Sequence, residues 1–533
     1  MTTTTETLAL PDEQMQAKMG VARASGIIAL GNITSRVLGL VREIILSHLF
    51  GAGAAVDAFK IAIIVPRSIY DLMIGGHVNS ALVPVMSDYA NHEDRRDLWD
   101  LLNALLGIVT VTLLALVIVL ELLAPQIVLL VAGSDAPDKT LDQATDLLRI
   151  TAPALLFLSL FAVVSGMLYA LKRFTWPAFG ASVFNLMIVI VTIGLEEQIG
   201  ITAAALGWLI GAVVQLFIQL PDLRDVRIRP KLRGVWTHPG VRTVGLLYAP
   251  VMFSLALDVL INRPFSYHLA AGTGIGNVSY MEWATTLMQF PHGLVATAIS
   301  IAVLPTLSQQ ITRDMEAYKN TLSFGLRLAT VLIVPATIGL MVLATPVIAL
   351  IFEHGEFMAD DTAVMSQVLR LYLVGLPFAT IDLLLVFAFY AKQDTVTPAL
   401  IGLVTLIAYM LTAVLLLPSM GFLSLMVADS VKHILHSSIS GWLLWRRIGG
   451  LHRQNLLSTV AKTILASLIM GVCAGATFMA LDALVTANLV GEVIHVTGAG
   501  LVGMAVFALL GHWLRLPELD WMIHFVRQRL NRA

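Results

Sequence analysis

The sequence predicts an all-α polytopic membrane protein with about fourteen transmembrane helices, and three observations lead to this fold class. Of the 533 residues, 57% are hydrophobic and only 13% are charged, and the mean hydropathy is +0.84. Soluble domains carry about a quarter charged residues, so most of this chain is suited to a bilayer. Apolar segments of about 20 residues, the length that spans a bilayer, recur along the whole chain.

Clusters of turn residues set the expected helix starts. They predict helices beginning near residues 22, 56, 97, 143, 175, 201, 243, 277, 319, 362, 397, 421, 456 and 489. The connections between them are short and leave no room for a soluble catalytic domain. We therefore expect a protein that is not an enzyme and that carries no cofactor.

Other functional classes find little support in the sequence. The lone Cys473 has no partner for a disulfide or a metal site, and we expect no bound metal. The pair His433 and His436 lacks a third ligand nearby, which favours a polar packing role. No dense basic patch with interleaved aromatic residues indicates nucleic acid binding. Residues 1–20 are polar and resemble a disordered tail rather than a signal peptide.

Basic residues alternate between successive loops, which predicts the orientation of the chain. Every second loop is rich in Lys and Arg, at Arg95 and Arg96, Lys172 and Arg173, residues 224–233, Arg313 and Lys319, Lys392, residues 446–453, and the tail at 527–532. The other loops are mainly acidic, as at Asp135, Glu196, Glu197, Glu353 and Glu492. Since Lys and Arg favour the cytoplasmic side, both termini are expected inside.

Charged residues at membrane depth concentrate in the first two predicted helices and in the seventh. The stretch "SRVLGLVREIIL" places Arg36, Arg42 and Glu43 in an apolar run. The second helix contributes Asp57, Lys60, Arg67 and Asp71, whose spacings of three, seven and four residues place them on one helical face. The seventh contributes Asp258 and Arg263.

Such charges are costly in a bilayer and normally face a bundle interior or a water-filled cavity. One interpretation is simple pairing, of Arg42 near Glu43, Lys60 with Asp57 and Arg67 with Asp71. The other is a cationic cavity for an anionic substrate, because guanidinium groups bind phosphate well. In that case Arg36, Arg42, Arg67 and Arg263 bind substrate, and a set of ion pairs acts in gating: Glu43, Asp57, Lys60, Asp71 and Asp258. We expect Arg327 to extend towards the membrane surface instead.

Several strings in order resemble the MurJ (MviN) family of lipid II flippases. They include "SRVLGLVREIILSHLFGAGAAVDAF", "ALVPVMSDY", "LYALKRFTWPAFGASVFNL", "QLPDLRD", "MQFPHGLVATAISIAVLPTLS", "IFEHGEFMADDTAV" and "FYAKQDTVTPAL". The resemblance covers roughly residues 22 to 515. Any one string is a weak signal, whereas the ordered set is specific.

The resemblance implies two pseudo-symmetric six-helix lobes plus two C-terminal helices. The expected division is a tail (1–20), an N-terminal lobe (21–236), a C-terminal lobe (237–450), helices 13 and 14 with a lipid-tail groove (451–516) and a basic tail (517–533). It further implies a flippase that moves lipid II, an undecaprenyl-pyrophosphate-linked peptidoglycan precursor, across the bacterial cytoplasmic membrane by alternating access. Membrane lipids are the implied surroundings, and a coupling ion is left open. The family's first-helix arginines match Arg36 and Arg42, the following acid matches Glu43, and the outer-loop aspartate matches Asp57.

Four positions depart from the family pattern. Tyr70 stands where a cavity arginine is usual, Gly75 where an acid is usual, and Thr285 and Thr286 where an acid and an arginine pair. Arg67 and Arg263 are candidates to supply the missing cations. These departures leave three alternatives open: a flippase for another polyprenyl-linked glycan, a cation-coupled exporter of amphiphilic drugs, or a transport-inactive membrane scaffold.

Overall fold

Helices make up all the regular secondary structure in the part of the chain that this computed structural model describes. The described residues are 11–73, 82–90, 96–224, 226, 229, 238–246, 256, 258–311, 313–451, 454–486 and 488–530. Their contacts divide them into two units, of which the first extends to Pro264 and the second begins at Phe265, with Ser47–Gly53 grouped with the second.

The described α-helices that belong mainly to the first unit include α1 (Pro11–Phe50), α2 (Ala54–Met73), α3 (Val83–Ala90), α4 (Arg96–Leu122), α5 (Ala124–Ala132), α6 (Asp138–Thr151), α7 (Ala154–Ala170), α8 (Thr175–Ile199) and α9 (Thr202–Phe217). A 3₁₀ turn follows at Leu220–Leu223, and a π-helical turn at Asp258–Asn262. The core of this unit joins α3, α4 and α7. Helix α1 begins eleven residues before the expected start near residue 22, so it includes half of the segment that we predicted to be a disordered tail.

The remaining α-helices are α10 (Arg263–Thr273), α11 (Asn277–His292), α12 (Ala298–Gln310), α13 (Met315–Val342), α14 (Ala344–Phe352), α15 (Ala359–Ala391), α16 (Val396–Met420), α17 (Leu423–Ile448), α18 (Leu456–Leu484), α19 (Leu489–Trp513) and α20 (Pro517–Leu530). A π-helical turn at Gly293–Thr297 joins α11 to α12. The first unit ends at Pro264, and the expected lobe boundary at residue 236 stays a prediction.

Among the described residues, eight helices are long and apolar enough to cross a membrane, and nine if the bent pair of α6 and α7 is one span. These eight carry many exposed aliphatic side chains, for example Leu415, Leu457, Leu468 and Val472. A soluble protein does not tolerate such surfaces, and lipid accounts for them. The predicted all-α membrane fold is confirmed, whereas the count of fourteen stays a prediction. Helices α1, α2 and α17 are long enough to span but carry clusters of polar residues.

Three backbone features recur in the two units and mark an internal repeat. Each pair has nearly the same φ: Leu123 and Leu343 at −102° and −93°, Lys172 and Gln393 at 60° and 59°, and Gly200 and Gly421 at 57° and 56°. The first pair breaks a long helix into α4 and α5 or into α13 and α14. The second lies in the turns "YALKRFTWPA" and "YAKQDTVTPA", and the third ends α8 or α16 in a conformation that favours glycine.

The turn between α15 and α16 is fixed by Asp394. Its carboxylate accepts hydrogen bonds from the Thr397 amide at 2.9 Å, from the Thr397 hydroxyl at 2.6 Å, and from Arg447 at the end of α17. Partial burial favours a higher pKa, but the Thr397 and Arg447 donors outweigh it and lower the pKa of Asp394 to about 2. This ion pair therefore stays charged throughout the neutral range.

The last three helices pack on α13. Gly471 and Gly475 of α18 lie against Ile338 and Val342, where an added Cβ would come within 2.8 and 3.3 Å of their side chains. The small-residue spacing in "GVCAG" thus marks a helix contact, as the sequence indicates.

Helix α20 is held on α13 by an ion pair. Arg327 Nε lies 2.6 Å from Oε1 of Glu518, a side chain with no exposed surface, and Arg327 also donates to the Gln454 carbonyl. Trp521 meets Phe324 edge to face at 5.4 Å. A buried acid from a helix 191 residues later in the chain thus pairs with Arg327, and its extension towards the membrane surface stays a prediction.

Candidate substrate-binding site

The carboxylate of Glu43 on α1 is the centre of an ion cluster in the first unit. It accepts hydrogen bonds from Arg42, whose Nε lies 3.2 Å from Oε1, and from Lys60 of α2, whose Nζ lies 2.5 Å from Oε2. Arg42 Nη1 also donates to Oδ1 of Asn185 on α8 at 3.0 Å. One acid therefore fixes two cations from two helices, and these three charged groups together carry a surplus of one positive charge.

Aromatic rings cover the Arg42 side of this cluster. The guanidinium lies 5.9 Å from the centroid of Trp208, which meets Phe184 edge-on at 4.8 Å and Phe59 at 6.4 Å. Apolar walls exclude water and so strengthen electrostatic interactions. The Arg42 side chain is 15% exposed and that of Lys60 only 2%, so Arg42 is the cation of this cluster that a ligand can reach.

A second ion pair lies farther along α2. Oδ2 of Asp71 accepts a hydrogen bond from Nη1 of Arg263 at 2.9 Å, and Ser68 Oγ lies 3.4 Å from the same nitrogen. Arg263 directly follows the π-helical turn at Asp258–Asn262, an irregularity that is frequent at functional sites. The two clusters are separated by about 17 Å along α2 at 1.5 Å per residue.

The structure assigns different surroundings to the other expected site residues. Arg36 on α1 and Arg67 on α2 are exposed, whereas Asp57 is buried. The side chain of Asp258 lies outside the described residues. The structure thus brings Arg42, Glu43 and Lys60 together, and separately Asp71 and Arg263.

The structure bears on the expected pairings in part. The Arg42–Glu43 pair forms as predicted. Lys60 also binds Glu43, and Arg263 binds the carboxylate of Asp71. The pairings of Lys60 with Asp57 and of Arg67 with Asp71 stay predictions.

The positions that depart from the family pattern have local explanations where the structure describes them. Tyr70 packs against the hydrophobic core of α3, α4 and α7. Thr285 and Thr286 donate to the carbonyls of Met281 and Glu282 one turn back, at 2.7 and 2.9 Å. The hydroxyl groups of both threonines are therefore hydrogen-bonded within their own helix, and neither side chain supplies a charge. Gly75 lies outside the described residues.

The second unit contains a polar cluster that sequence reasoning named only as separate charges. On α17, Lys432 Nζ lies 2.6 Å from Asp429 Oδ1, and His433 Nε2 lies 3.6 Å from Oδ2 of the same acid. His436 Nδ1 lies 2.5 Å from Oδ1 of Asp382 on α15. The spacing of residues 429, 432, 433 and 436 is the sequence signal that places them on one face. Among the described residues, no cluster has the arrangement of a metal site.

Comparison with known proteins assigns the family. The lipid II flippase MurJ family matches residues 46–495. The chain belongs to this family. The probable lipid II flippase MurJ of Vibrio cholerae is 32% identical over 516 residues, which cover 92% of this chain and 95% of the relative. The lipid II flippase MurJ of Burkholderia cenocepacia is 30% identical over 431 residues, covering 79% and 83%.

Solved structures agree with membership of the MurJ family. A lipid II flippase MurJ in an inward closed conformation matches with a TM-score of 0.76 and 25% identity, covering 92% of this chain and 98% of that one. An inward-facing multidrug resistance MATE family transporter of the MOP superfamily matches with a TM-score of 0.63 and 15% identity, covering 79% and 96%. The second likeness shows a shared fold.

Proposed function

We propose that this chain is a flippase that moves lipid II from the cytoplasmic to the outer leaflet by alternating access. Membership of the MurJ family over most of the chain supports the substrate class. The observation that carries the mechanism is the Glu43 cluster, in which one acid holds Arg42 and Lys60 inside a membrane-embedded unit. A cationic site of this kind is suited to a pyrophosphate-linked glycan.

In this proposal Arg42 exchanges partners as substrate arrives. Without substrate, Glu43 and Asn185 use three of its N–H donors. Pyrophosphate oxygens compete for the same guanidinium, because forked donors match phosphate geometry. The exposed Arg36 and Arg67, together with Arg263, contribute further positive charge. Lys60, which is buried on Glu43, holds the acid in place while Arg42 is engaged.

The ion pairs give the site two electrostatic states. Glu43, Asp57, Lys60, Asp71 and Asp258 are the proposed gating groups, and the Asp71–Arg263 pair ties α2 to the start of α10. A substrate anion that draws Arg263 away from Asp71 weakens that tie. Binding is thereby coupled to a change in helix contacts, since an anion favours the state with free cations.

We also propose that the protein lies in the bacterial inner membrane with both termini in the cytoplasm. The alternation of basic and acidic loops supports this orientation. The division into lobes at 21–236 and 237–450, helices 13 and 14 at 451–516, and a basic tail at 517–533 is part of the same proposal.

Complementation tests the function. The chain is expressed in a bacterium whose own flippase is depleted, and lipid II exposed on the outer leaflet is measured. We expect the wild type to restore exposure, whereas Arg42→Ala reduces it at least tenfold and Arg36→Ala reduces it to a smaller extent. Arg149→Ala is the matched control, because this arginine is half-exposed and pairs only at 3.7 Å with the exposed Asp146.

Each outcome separates one part of the proposal. No rescue by a well-expressed wild type overturns the lipid II assignment and directs attention to another polyprenyl-linked glycan. Full rescue by both the Arg36 and Arg42 alanine variants overturns the cationic site while leaving the substrate assignment intact. Equal loss in Arg149→Ala means that removal of any arginine impairs the protein.

A further inference from the structure

The polar face of α17 places an imidazole beside an acid that already has a cation. Asp429 binds Lys432 at 2.6 Å through Oδ1, and Nε2 of His433 lies 3.6 Å from Oδ2, just beyond hydrogen-bond distance. The ammonium of Lys432 also lies 5.3 Å from the ring centroid of Tyr409 on α16. His433 is therefore one small movement away from competing with Lys432 for Asp429.

A second imidazole and acid lie one turn farther along the same helix. His436 Nδ1 and Asp382 Oδ1 are 2.5 Å apart, and Ser440 Oγ lies 3.3 Å from the same nitrogen. His292, at the end of α11, lies 3.3 Å from the hydroxyl of Thr380 on α15. Asp382 and His292 both lie within electrostatic range of His433.

Titratable groups from three neighbouring helices lie around this cluster in the described part of the chain. Asp382 of α15 and His292 of α11 interact with His433. Tyr390 of α15 lies near Asp382, and Tyr372 of α15 lies near Asp429, Tyr409 of α16 and Glu282 of α11. Glu282 accepts the hydroxyl hydrogen bond of Tyr267 at 2.7 Å. At neutral pH the tyrosines are uncharged.

The charges of the central groups do not cancel unless an imidazole is protonated. Asp382 and Asp429 contribute two negative charges and Lys432 one positive charge, so these three groups carry one net negative charge. One imidazolium neutralises it, and Glu282 adds a further negative charge nearby. Uncompensated charge at membrane depth is costly, and histidine is the side chain whose charge changes between about pH 5 and 8.

We propose that the second unit binds and releases a proton on His433 and His436 during each transport cycle. This inference rests on the proposed flippase function and identifies the proton as the coupling ion. When a proton reaches Nε2 of His433, the imidazolium moves onto Asp429 and displaces Lys432 towards the Tyr409 ring. Tyr409 shares a 2.8 Å hydrogen bond with Ser266, so the exchange alters the contact between α16 and α10.

The pair of Asp394 and Arg447 does not take part in this response. Because its pKa is lowered, Asp394 contributes stability that is present above its usual pKa of 3.8 and is lost only as pH falls through about 2. Between pH 5 and 8 that contribution is constant. A pH response in that range therefore does not come from this pair.

The first experiment observes the imidazoles directly. The protein is labelled with ¹³C-histidine, reconstituted in nanodiscs and titrated from pH 4 to 8.5 by NMR. Among the resonances of the 13 histidines, we expect two titrating ones to disappear in His433→Gln and His436→Gln respectively. Asp429→Asn should lower the His433 midpoint, because the acid stabilises the imidazolium. His354→Gln is the control, since this histidine lies outside the cluster and contacts the Leu350 carbonyl.

The second experiment measures transport. Flipping of lipid II in proteoliposomes is expected to change at least fivefold between pH 5.5 and 8 for the wild type and for His354→Gln. The double variant His433→Gln/His436→Gln should lose this dependence at equal expression and thermal stability. A Na⁺ titration at constant pH is included, and a Na⁺ dependence without a pH dependence overturns the proton assignment.

The two readouts separate this inference from the proposed function. The imidazoles of His433 and His436 could titrate and respond to Asp429→Asn in a protein that does not flip lipid II. That result supports the proton site and overturns the assignment of lipid II as substrate. Flipping with an unchanged pH profile in the double variant overturns the proton site and supports the substrate. Imidazoles that stay in one protonation state from pH 4 to 8.5 also overturn it.

Discussion

The carboxylate of Glu43 stabilises the positive charges of Arg42 and Lys60 in surroundings from which most water is excluded. Lys60 is 2% exposed and its ammonium lies 2.5 Å from this acid, so Glu43 stabilises the charged form of the lysine. Breaking a buried pair by removing one partner costs about 3–5 kcal/mol, whereas replacing both partners by apolar residues is often neutral. The same carboxylate also orients Arg42, the proposed substrate-binding cation. Glu43 is therefore expected to affect both the stability of the protein and substrate binding.

We expect Glu43→Gln to lower the melting temperature of the purified protein strongly, because Lys60 is left buried with a neutral amide. The double variant Glu43→Gln/Lys60→Met should recover most of the lost stability, since it removes the buried ammonium that Glu43 no longer stabilises. Melting followed by intrinsic fluorescence in detergent measures both.

Glu197→Gln is the control for Glu43→Gln, because Glu197 is an exposed acid near the end of α8. If the Glu43 and Glu197 variants melt at the same temperature, Glu43 does not stabilise the cluster. If the double variant is less stable than the single one, the buried lysine is not the cause.

At the residue scale the sequence identified the charged residues but not all their partners. Arg42 and Glu43 are adjacent, and their pairing could be expected. Asp71 and Arg263 are 192 residues apart, and no periodicity in either helix specifies that contact. The cluster of α17 shows the same limit, because spacing placed its own residues on one face but could not add Asp382 of α15.

At the element scale, the close approach of α1 and α8 depends on Gly31. A Cβ added at this residue would lie 2.2 Å from the carbonyl oxygen of Ala178, a backbone atom that cannot move aside alone. Ser182 donates to the Gly31 carbonyl at 3.3 Å, so both helices are fixed at this point. Arg42 reaches Asn185 three turns farther along α1 because of this contact.

Gly31→Ala should destabilise the protein by roughly 1–3 kcal/mol, the usual range for overpacking, and weaken rescue of lipid II exposure. Gly26→Ala is the matched control, since nothing lies within 4 Å of its added Cβ. In the Gly26→Ala variant the added methyl group meets no clash, and the higher helix propensity of alanine should preserve or raise the stability. Thermal melting of the two variants side by side checks the difference, and equal melting temperatures would contradict the close contact.

Helix starts were predictable because glycine, proline and polar turns interrupt the apolar segments. The expected starts near 175, 201, 456 and 489 lie within one residue of α8, α9, α18 and α19. The breaks at Leu123 and Leu343 were not predicted, since the surrounding residues are as apolar as the helices. The π-helical turns were not predicted either, because one extra residue in a turn leaves little trace in hydrophobic periodicity.

At the scale of the whole molecule, the repeated turns indicate that one structural plan was used twice with different chemistry. Arg173, two residues before the α8 start, donates to the Asp222 carbonyl, whereas the equivalent Asp394 accepts from Arg447. The backbone is alike and the charge is reversed. The cationic cluster of the first unit and the mixed acid and imidazole cluster of the second follow the same division.

The proposed orientation predicts which loops meet the outside of the cell. In a Cys473→Ala background, Glu197→Cys and Ser134→Cys should react with a membrane-impermeant thiol reagent in intact cells. Lys172→Cys and Lys392→Cys should react only after the membrane is opened, because basic loops stay in the cytoplasm. Mass-tag labelling followed by gel electrophoresis measures the reaction.

The Cys473→Ala parent, which has no thiol, shows the background of this labelling, and reaction of all four variants after the membrane is opened shows that each site is reachable. Labelling of Lys172→Cys in intact cells would reverse the orientation. If cysteines in an acidic loop and in a basic loop of the same unit both reacted in intact cells, the predicted alternation of loops would be contradicted.

The ion pair between Arg327 and Glu518 can form only when synthesis of the chain is nearly finished. The ribosome delivers Arg327 long before Glu518, and chains fold as they emerge. Until α20 has been synthesised, Arg327 of α13 lacks the Glu518 carboxylate with which it pairs in the folded protein. Ribosome-stalled chains that end between α19 and α20 should therefore be degraded faster than full-length chains.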